Sequence, residues 1–140
     1  MREAADVHRD LFSEHAAQYG ENVRVKIDRC LTVTDEQFAA GLRAREAYRE
    51  QCMEQLDDLD LLLVPTTPFV APPADVDELA IREGAIRFTY PFNLLGWPAL
   101  ALPCGPAEEG LPASAQLVGR PGADALVLAV GAFLEAELKA

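Results

Sequence analysis

The feature that most limits how this chain can fold is the run Leu59-Asp60-Leu61-Leu62-Leu63-Val64-Pro65 and the prolines that follow it. A continuous apolar run after a long polar stretch reads as a strand covered on both faces of a sheet. Pro65, Pro68, Pro72 and Pro73 then forbid regular structure, because each lacks a backbone donor and restrains the residue before it. Thr66 to Pro73 is therefore expected to be an ordered loop leaving a strand end, a position that often borders ligand sites in open α/β sheets. A doubly covered strand needs more partners than the rest of the chain offers, which hints at a piece of a larger fold.

The elements before this strand read as helical. Ala4, Val7, Leu11, Phe12, Ala16 and Tyr19 follow helical spacing, and Gly20 is placed to close that helix in a left-handed cap. Glu21 to Val33, with Val23, Val25 and Ile27 alternating against polar residues, fits either a strand or a surface connection. Thr34-Asp35-Glu36-Gln37 spells a capping box, so a long helix is expected from there to about Asp58.

Beyond the loop, residues 75–87 are weakly helical, and Thr89 to Leu95 predicts a short helix with Thr89 as its cap. Pro91 lies in its first turn and Gly96 ends it. Ala99 to Pro103 and Ala113 to Val118 predict an antiparallel hairpin of small, buried residues around the turn Gly105 to Gly110. After Gly119-Arg120-Pro121-Gly122 comes a closing helix with Leu126, Val127, Val130, Phe133, Leu134 and Leu138 as its apolar stripe. The expected class is α/β, a small mixed sheet of about three or four strands packed with helices, and 140 residues fit a single domain or a fragment of one.

Composition excludes several roles. The net charge of −11 repels phosphate backbones and anionic lipid, so neither a nucleic acid nor a membrane is expected as partner. No apolar run approaches the roughly 20 residues that span a bilayer, and the first residues do not spell a signal peptide. Three cysteines without paired spacing read as free thiols in a reducing, cytoplasmic setting.

The chain is poor in catalytic groups. Ser13 and Ser114 are its only serines and Lys26 and Lys139 its only lysines, and no nucleophile elbow surrounds either serine. Cys104 stands at a strand end, with His8 and His15 as the available bases, although a small thiol there is ordinary packing. Two histidines seven residues apart, with no cysteine or carboxylate cluster beside them, are not a metal site. No phosphate-binding glycine pattern occurs, so no cofactor and no metal is expected. The unusual segment is Phe88-Thr89-Tyr90-Pro91-Phe92-Asn93-Leu94-Leu95-Gly96-Trp97-Pro98, four aromatics and two prolines around one amide. It reads either as a hydrophobic plug that seats a helix or as the wall of an apolar pocket.

From Thr89 onward that segment, continued by Ala99 and by Pro103-Cys104-Gly105, resembles the end of the amidase signature family of amide hydrolases. Gly110-Leu111-Pro112, then Gln116-Leu117-Val118-Gly119-Arg120-Pro121-Gly122-Ala123-Asp124 and a final helix, continue the likeness in order. Upstream, Leu59 to Pro68 after a long arginine-rich helix is similar to the family's strand and loop. The resemblance implies the C-terminal third of an amidase, which converts carboxylic amides to acid and ammonia or amine through a Ser-Ser-Lys triad. The triad belongs to a preceding portion with no counterpart here, so no catalytic residue carries over and this chain alone is expected to be inactive. Tyr90, Phe92 and Leu95 would be substrate-channel wall, Asn93 a structural clamp, and the Thr66 to Phe69 loop a further border. The implied partners are the missing N-terminal portion or a second copy, with a small-molecule amide as substrate of the complete enzyme. Two other readings stand beside it: a non-catalytic self-associating or partner-binding module, and a thiol enzyme using Cys104.

Overall fold

The computed structural model describes residues 1–138, which form two compact units divided between Tyr48 and Arg49. The first is helical. Helix α1 (Arg2–His15) buries Ala5 and Phe12, a single 3-10 turn follows, and α2 (Glu21–Leu31) buries Ile27 and Cys30. The segment whose pattern fits either a strand or a connection is thus a helix. Its Val23 and Val25 are exposed and take no part in the packing, which the i, i+3 pair Ile27 and Cys30 carries. Gly20 is extended, at φ −56° and ψ 146°, and starts α2 instead of closing α1 in a left-handed cap. Tyr19 locks the preceding turn, edge-on to Phe12 and hydrogen-bonded through its hydroxyl to His8 Nδ1 at 2.9 Å.

Helix α3 (Asp35–Gln55) opens with the expected capping box. Gln37 N–H donates to Thr34 Oγ1 at 3.1 Å, and Thr34 N–H donates to Gln37 Oε1 at 3.0 Å.

The second unit is built on a three-stranded sheet of β1 (Leu61–Pro65), β2 (Ala99–Pro106) and β3 (Pro112–Gly119). The strand order is β1-β3-β2, and both pairings are antiparallel. These strands therefore do not themselves make the mixed sheet that was expected, since β1 and β2 run the same way but are held apart by β3. The strand buried on both faces is β3, whose residues Gln116 to Gly119 are all inaccessible. β1 is an edge strand within the chain, and its Leu63 is 62% exposed. β2 is likewise mostly exposed, with Leu102 its buried member, so the hairpin is less enclosed than its small residues suggest.

Alternation along β3 sorts the core into two layers. Val118 faces Leu95 and Trp97, with Cys52, Met53, Leu56, Leu62 and Phe92 packed around them. Leu117 faces the other way, onto Leu102 and Val127, with Leu61, Leu100, Val130 and Leu134. The end of α3 and the short helix α5 (Tyr90–Leu95) thus cover one face of the sheet, and α6 (Asp124–Leu138) covers the other. Gly131 brings α6 down onto β2, because a Cβ there would collide with the Leu100 side chain. Arg120 secures the turn into α6 by donating to the carbonyls of Leu56 and Asp57 just past the end of α3, and to the Asp57 carboxylate at 3.2 Å.

Helix α5 has the expected local signals. Pro91 sits in the first turn, and Gly96 closes the helix at φ +70°, a conformation that favours glycine. Thr89 occupies the cap position without capping, since its hydroxyl donates back to Ile86 C=O at 3.4 Å. Helix α4 (Glu78–Ile86) is capped by Asp77, whose carboxylate accepts from Leu79 N–H at 2.9 Å. No helix among the described residues is long and apolar enough to cross a membrane.

Candidate functional site

The three strands end at an open depression of about 430 Å³. Leu63, Val64 and Pro65 at the close of β1 form one side, and Thr67 to Val70 form the lip. Cys104, Ala107, Glu108, Ala113, Ser114 and Ala115 from the β2–β3 connection form the other side. It lies at the carboxyl ends of β1 and β2, where open α/β sheets place their ligands. The lining is largely apolar, and Glu108 is its only charged residue.

Proline sets this geometry. Pro65 ends the strand and Pro68 holds the loop open, and Thr67 stiffens the turn by donating its hydroxyl to Phe69 C=O at 2.8 Å. Thr66 N–H donates to Ser114 C=O at 3.0 Å, so the loop root remains sewn to β3 for one residue beyond the strand. The Phe69 ring lies against α4 where Gly84 leaves room, since a Cβ there would stand 2.9 Å from the ring. Thr66 Oγ1 is buried without a hydrogen-bond partner among the described residues.

The Thr66 to Phe69 loop is thus at the depression, as part of its wall. The four α5 residues do not line it. Tyr90 is 54% exposed, and Asn93 is exposed with no side-chain hydrogen bond among the described residues. Phe92 is half-buried against the core, and Leu95 is 4% exposed within it. What connects α5 to the loop is Gln116, the one buried polar residue among those described, at 3% exposure. Its Nε2 donates to Phe88 C=O at 2.7 Å and to Pro65 C=O at 3.3 Å. Sequence reasoning passed over Gln116 because it stands inside an otherwise apolar strand; an amide between Ala115 and Leu117 was the available signal.

Chemically the depression can hold an apolar group beside the Glu108 carboxylate. Cys104 is exposed, and Ser114 and Cys104 both line the site, with no histidine or lysine among the described lining residues. Ser13, the other serine, donates its hydroxyl to Asp10 C=O on α1. Among the described residues no group of three His, Cys, Asp or Glu side chains could hold a metal ion.

Comparison with known proteins decides the family. Residues 1–128 match the family model described as Amidase. The chain belongs to the amidase family. It is 36% identical over 124 residues to a fatty acid amide hydrolase of Arabidopsis thaliana. It is 38% identical over 100 residues to a glutamyl-tRNA(Gln) amidotransferase subunit of Chloroflexus aurantiacus. These matches cover 84% and 69% of the chain but only 20% of each relative. Among solved structures, one described as an amidase superposes with a TM-score of 0.91 at 37% identity, over 97% of this chain and 33% of that one. A bacterial aryl acylamidase of the amidase signature family gives 0.71 at 25% identity, over 93% of this chain and 30% of its own. The chain therefore spans about a fifth of the length of these curated relatives and a third of the solved amidase.

Proposed function

We propose that this chain is the C-terminal segment of an amide hydrolase, supplying core and substrate-channel wall while the catalytic triad resides in the rest of the enzyme. The observation that carries the reading is the superposition of 97% of this chain on a third of a solved amidase. Loop and strand ends are arranged as a ligand site would be, and among the described residues no lysine or histidine lines it. In the complete enzyme a serine would attack the amide carbon, an amine or ammonia would leave, and water would release the acid from the acyl-enzyme. The channel would be bordered by the Thr66 to Phe69 loop and by α5. There Tyr90 and Asn93 are the members free to meet substrate, and Phe92 and Leu95 seat the helix from behind. The apolar lining favours an amide with a hydrocarbon or aromatic acyl group.

A second reading, a partner-binding module, is favoured by α6. Its outer side carries Leu126, Leu128 and Phe133, the last 63% exposed, beside Ala125, Ala129, Ala132 and Ala136. A helix apolar on all sides belongs inside a larger protein. The occupant that fits is the remaining amidase polypeptide, since the solved amidase is three times as long as its match here. A second copy is the rival occupant, and light scattering that reports a dimer lost on Phe133→Glu would favour it. The thiol-enzyme reading gains nothing from the geometry.

The test is hydrolysis of a simple aryl amide by the purified chain. No turnover is expected, and turnover surviving Cys104→Ala and repurification would overturn the reading.

A further inference from the structure

We infer that Gln116 is a positioning residue that fixes the two channel-wall segments, the Thr66 to Phe69 loop and α5, relative to each other. The inference rests on the channel reading above for its function but on geometry for its substance. A carboxamide nitrogen carries two hydrogens. Gln116 directs both at main-chain carbonyls far apart in sequence: Pro65, immediately before the loop, and Phe88, in the turn between α4 and α5. Each carbonyl lies at the root of a wall segment, outside the regular bonding of a helix interior. The orientation of the amide is dictated by chemistry, because an oxygen facing two carbonyl oxygens would be repelled.

Among uncharged side chains of similar length none suits this position as well. Glutamate offers at most one hydrogen, methionine offers none, and asparagine is one carbon too short to reach where Gln116 reaches. The position on β3 matters too. Gln116 points to the same face as Val118, into the layer that holds Leu95 and Trp97, so the donor is buried and its strand is the central one. A hydrogen bond kept from water on a rigid central strand sets a spacing that exposed contacts would not hold. Shape at the loop and at α5 is thereby tied to a residue that contacts no substrate.

The test is hydrogen exchange on this chain, comparing wild type with Gln116→Met. The clamp predicts amide exchange at least about fivefold faster in peptides covering residues 66–70 and 89–95, with residues 127–134 of α6 unchanged. Uniform acceleration, or none in the two wall segments, would overturn it. Should the variant fail to fold, the wild-type side chain answers: Gln116 Nε2 protons should exchange at least about tenfold more slowly than those of exposed Asn93. Equal rates would overturn the inference. Neither measurement needs catalysis, so aryl amide turnover by the purified chain would refute the proposed function without touching the clamp, and the converse holds.

Discussion

Replacing Gly119 by alanine probes the packing of α6 on the sheet, and the consequence can be worked from the neighbours. A Cβ at Gly119 would stand 2.7 Å from Val127 Cγ2, 3.0 Å from Ala123 Cβ and 3.4 Å from Leu61 Cδ2. Neither of the nearest two can step aside. Ala123 has no rotamer to change, and Val127 is 3% exposed on a helix where β-branched side chains keep one rotamer. The start of α6 must therefore lift from β3. Overpacking of this kind costs about 1–3 kcal/mol, offset by roughly 0.5–1 kcal/mol because glycine no longer has to be ordered in a strand. The net loss of about 1–2 kcal/mol should lower Tm by about 3–8 °C for a chain of this size. Gly131→Ala is the control. Its Cβ meets the far end of Leu100, a flexible methyl that can swing away, and alanine returns about 1 kcal/mol of helix propensity. Thermal unfolding followed by circular dichroism should leave Gly131→Ala within about 1 kcal/mol of wild type. If Gly119→Ala melts with wild type, or Gly131→Ala loses as much stability as Gly119→Ala, the packing described for α6 is wrong.

Three further outcomes follow from individual contacts. Thr34→Ala removes the hydroxyl half of the reciprocal cap of α3, leaving the backbone N–H of residue 34 to donate to Gln37, and should cost about 1 kcal/mol, read as a lower urea midpoint with an unchanged slope. Arg120→Ala leaves the carbonyls beyond α3 to water and removes a partly exposed ion pair, so a loss of about 1–2 kcal/mol is expected in the same assay. Arg120→Lys should recover less than half of it, because an ammonium cannot reproduce the fork. Thr66→Val removes a buried hydroxyl that has no partner among the described residues and should raise stability by about 1 kcal/mol, seen as a higher Tm.

What could be read from the sequence was what neighbouring residues decide among themselves. The capping box at Thr34, Pro91 in the first turn of α5 and its end at Gly96 are local chemistry, and all three stand as expected, although Thr89 does not cap α5 with its side chain. The same locality misled at Gly20, where a glycine between two helices can end one or begin the next, and packing of Ile27 and Cys30 chose the second. Strand order lay out of reach because β1 pairs with β3 across 50 to 58 residues, from Pro65 with Ala115 to Leu61 with Gly119, and no local pattern encodes that. The apolar run of β1 suggested a doubly covered strand. Within this chain that place is taken by β3, and Leu63 is left bare.

The candidate site divides in the same way. Prolines 65 and 68 marked the loop as ordered, and it does form the lip of the depression. The β2–β3 side of the depression, with Cys104, Glu108 and Ser114, depends on a hairpin bulge between Pro103 and Pro106 that alternation does not disclose. Gln116 was invisible because its role comes from two carbonyls 28 and 51 residues away.

The most direct measurement is hydrolysis of an aryl amide by a chimera. Residues 1–128 of this chain would replace the matching segment of the solved amidase with which it shares 37% identity, leaving that enzyme's catalytic portion intact. Turnover that disappears when the host's nucleophilic serine becomes alanine is the predicted result. A chimera that folds, as judged by a cooperative melt, yet hydrolyses nothing would contradict the assignment of these residues as the wall-bearing segment of an amidase.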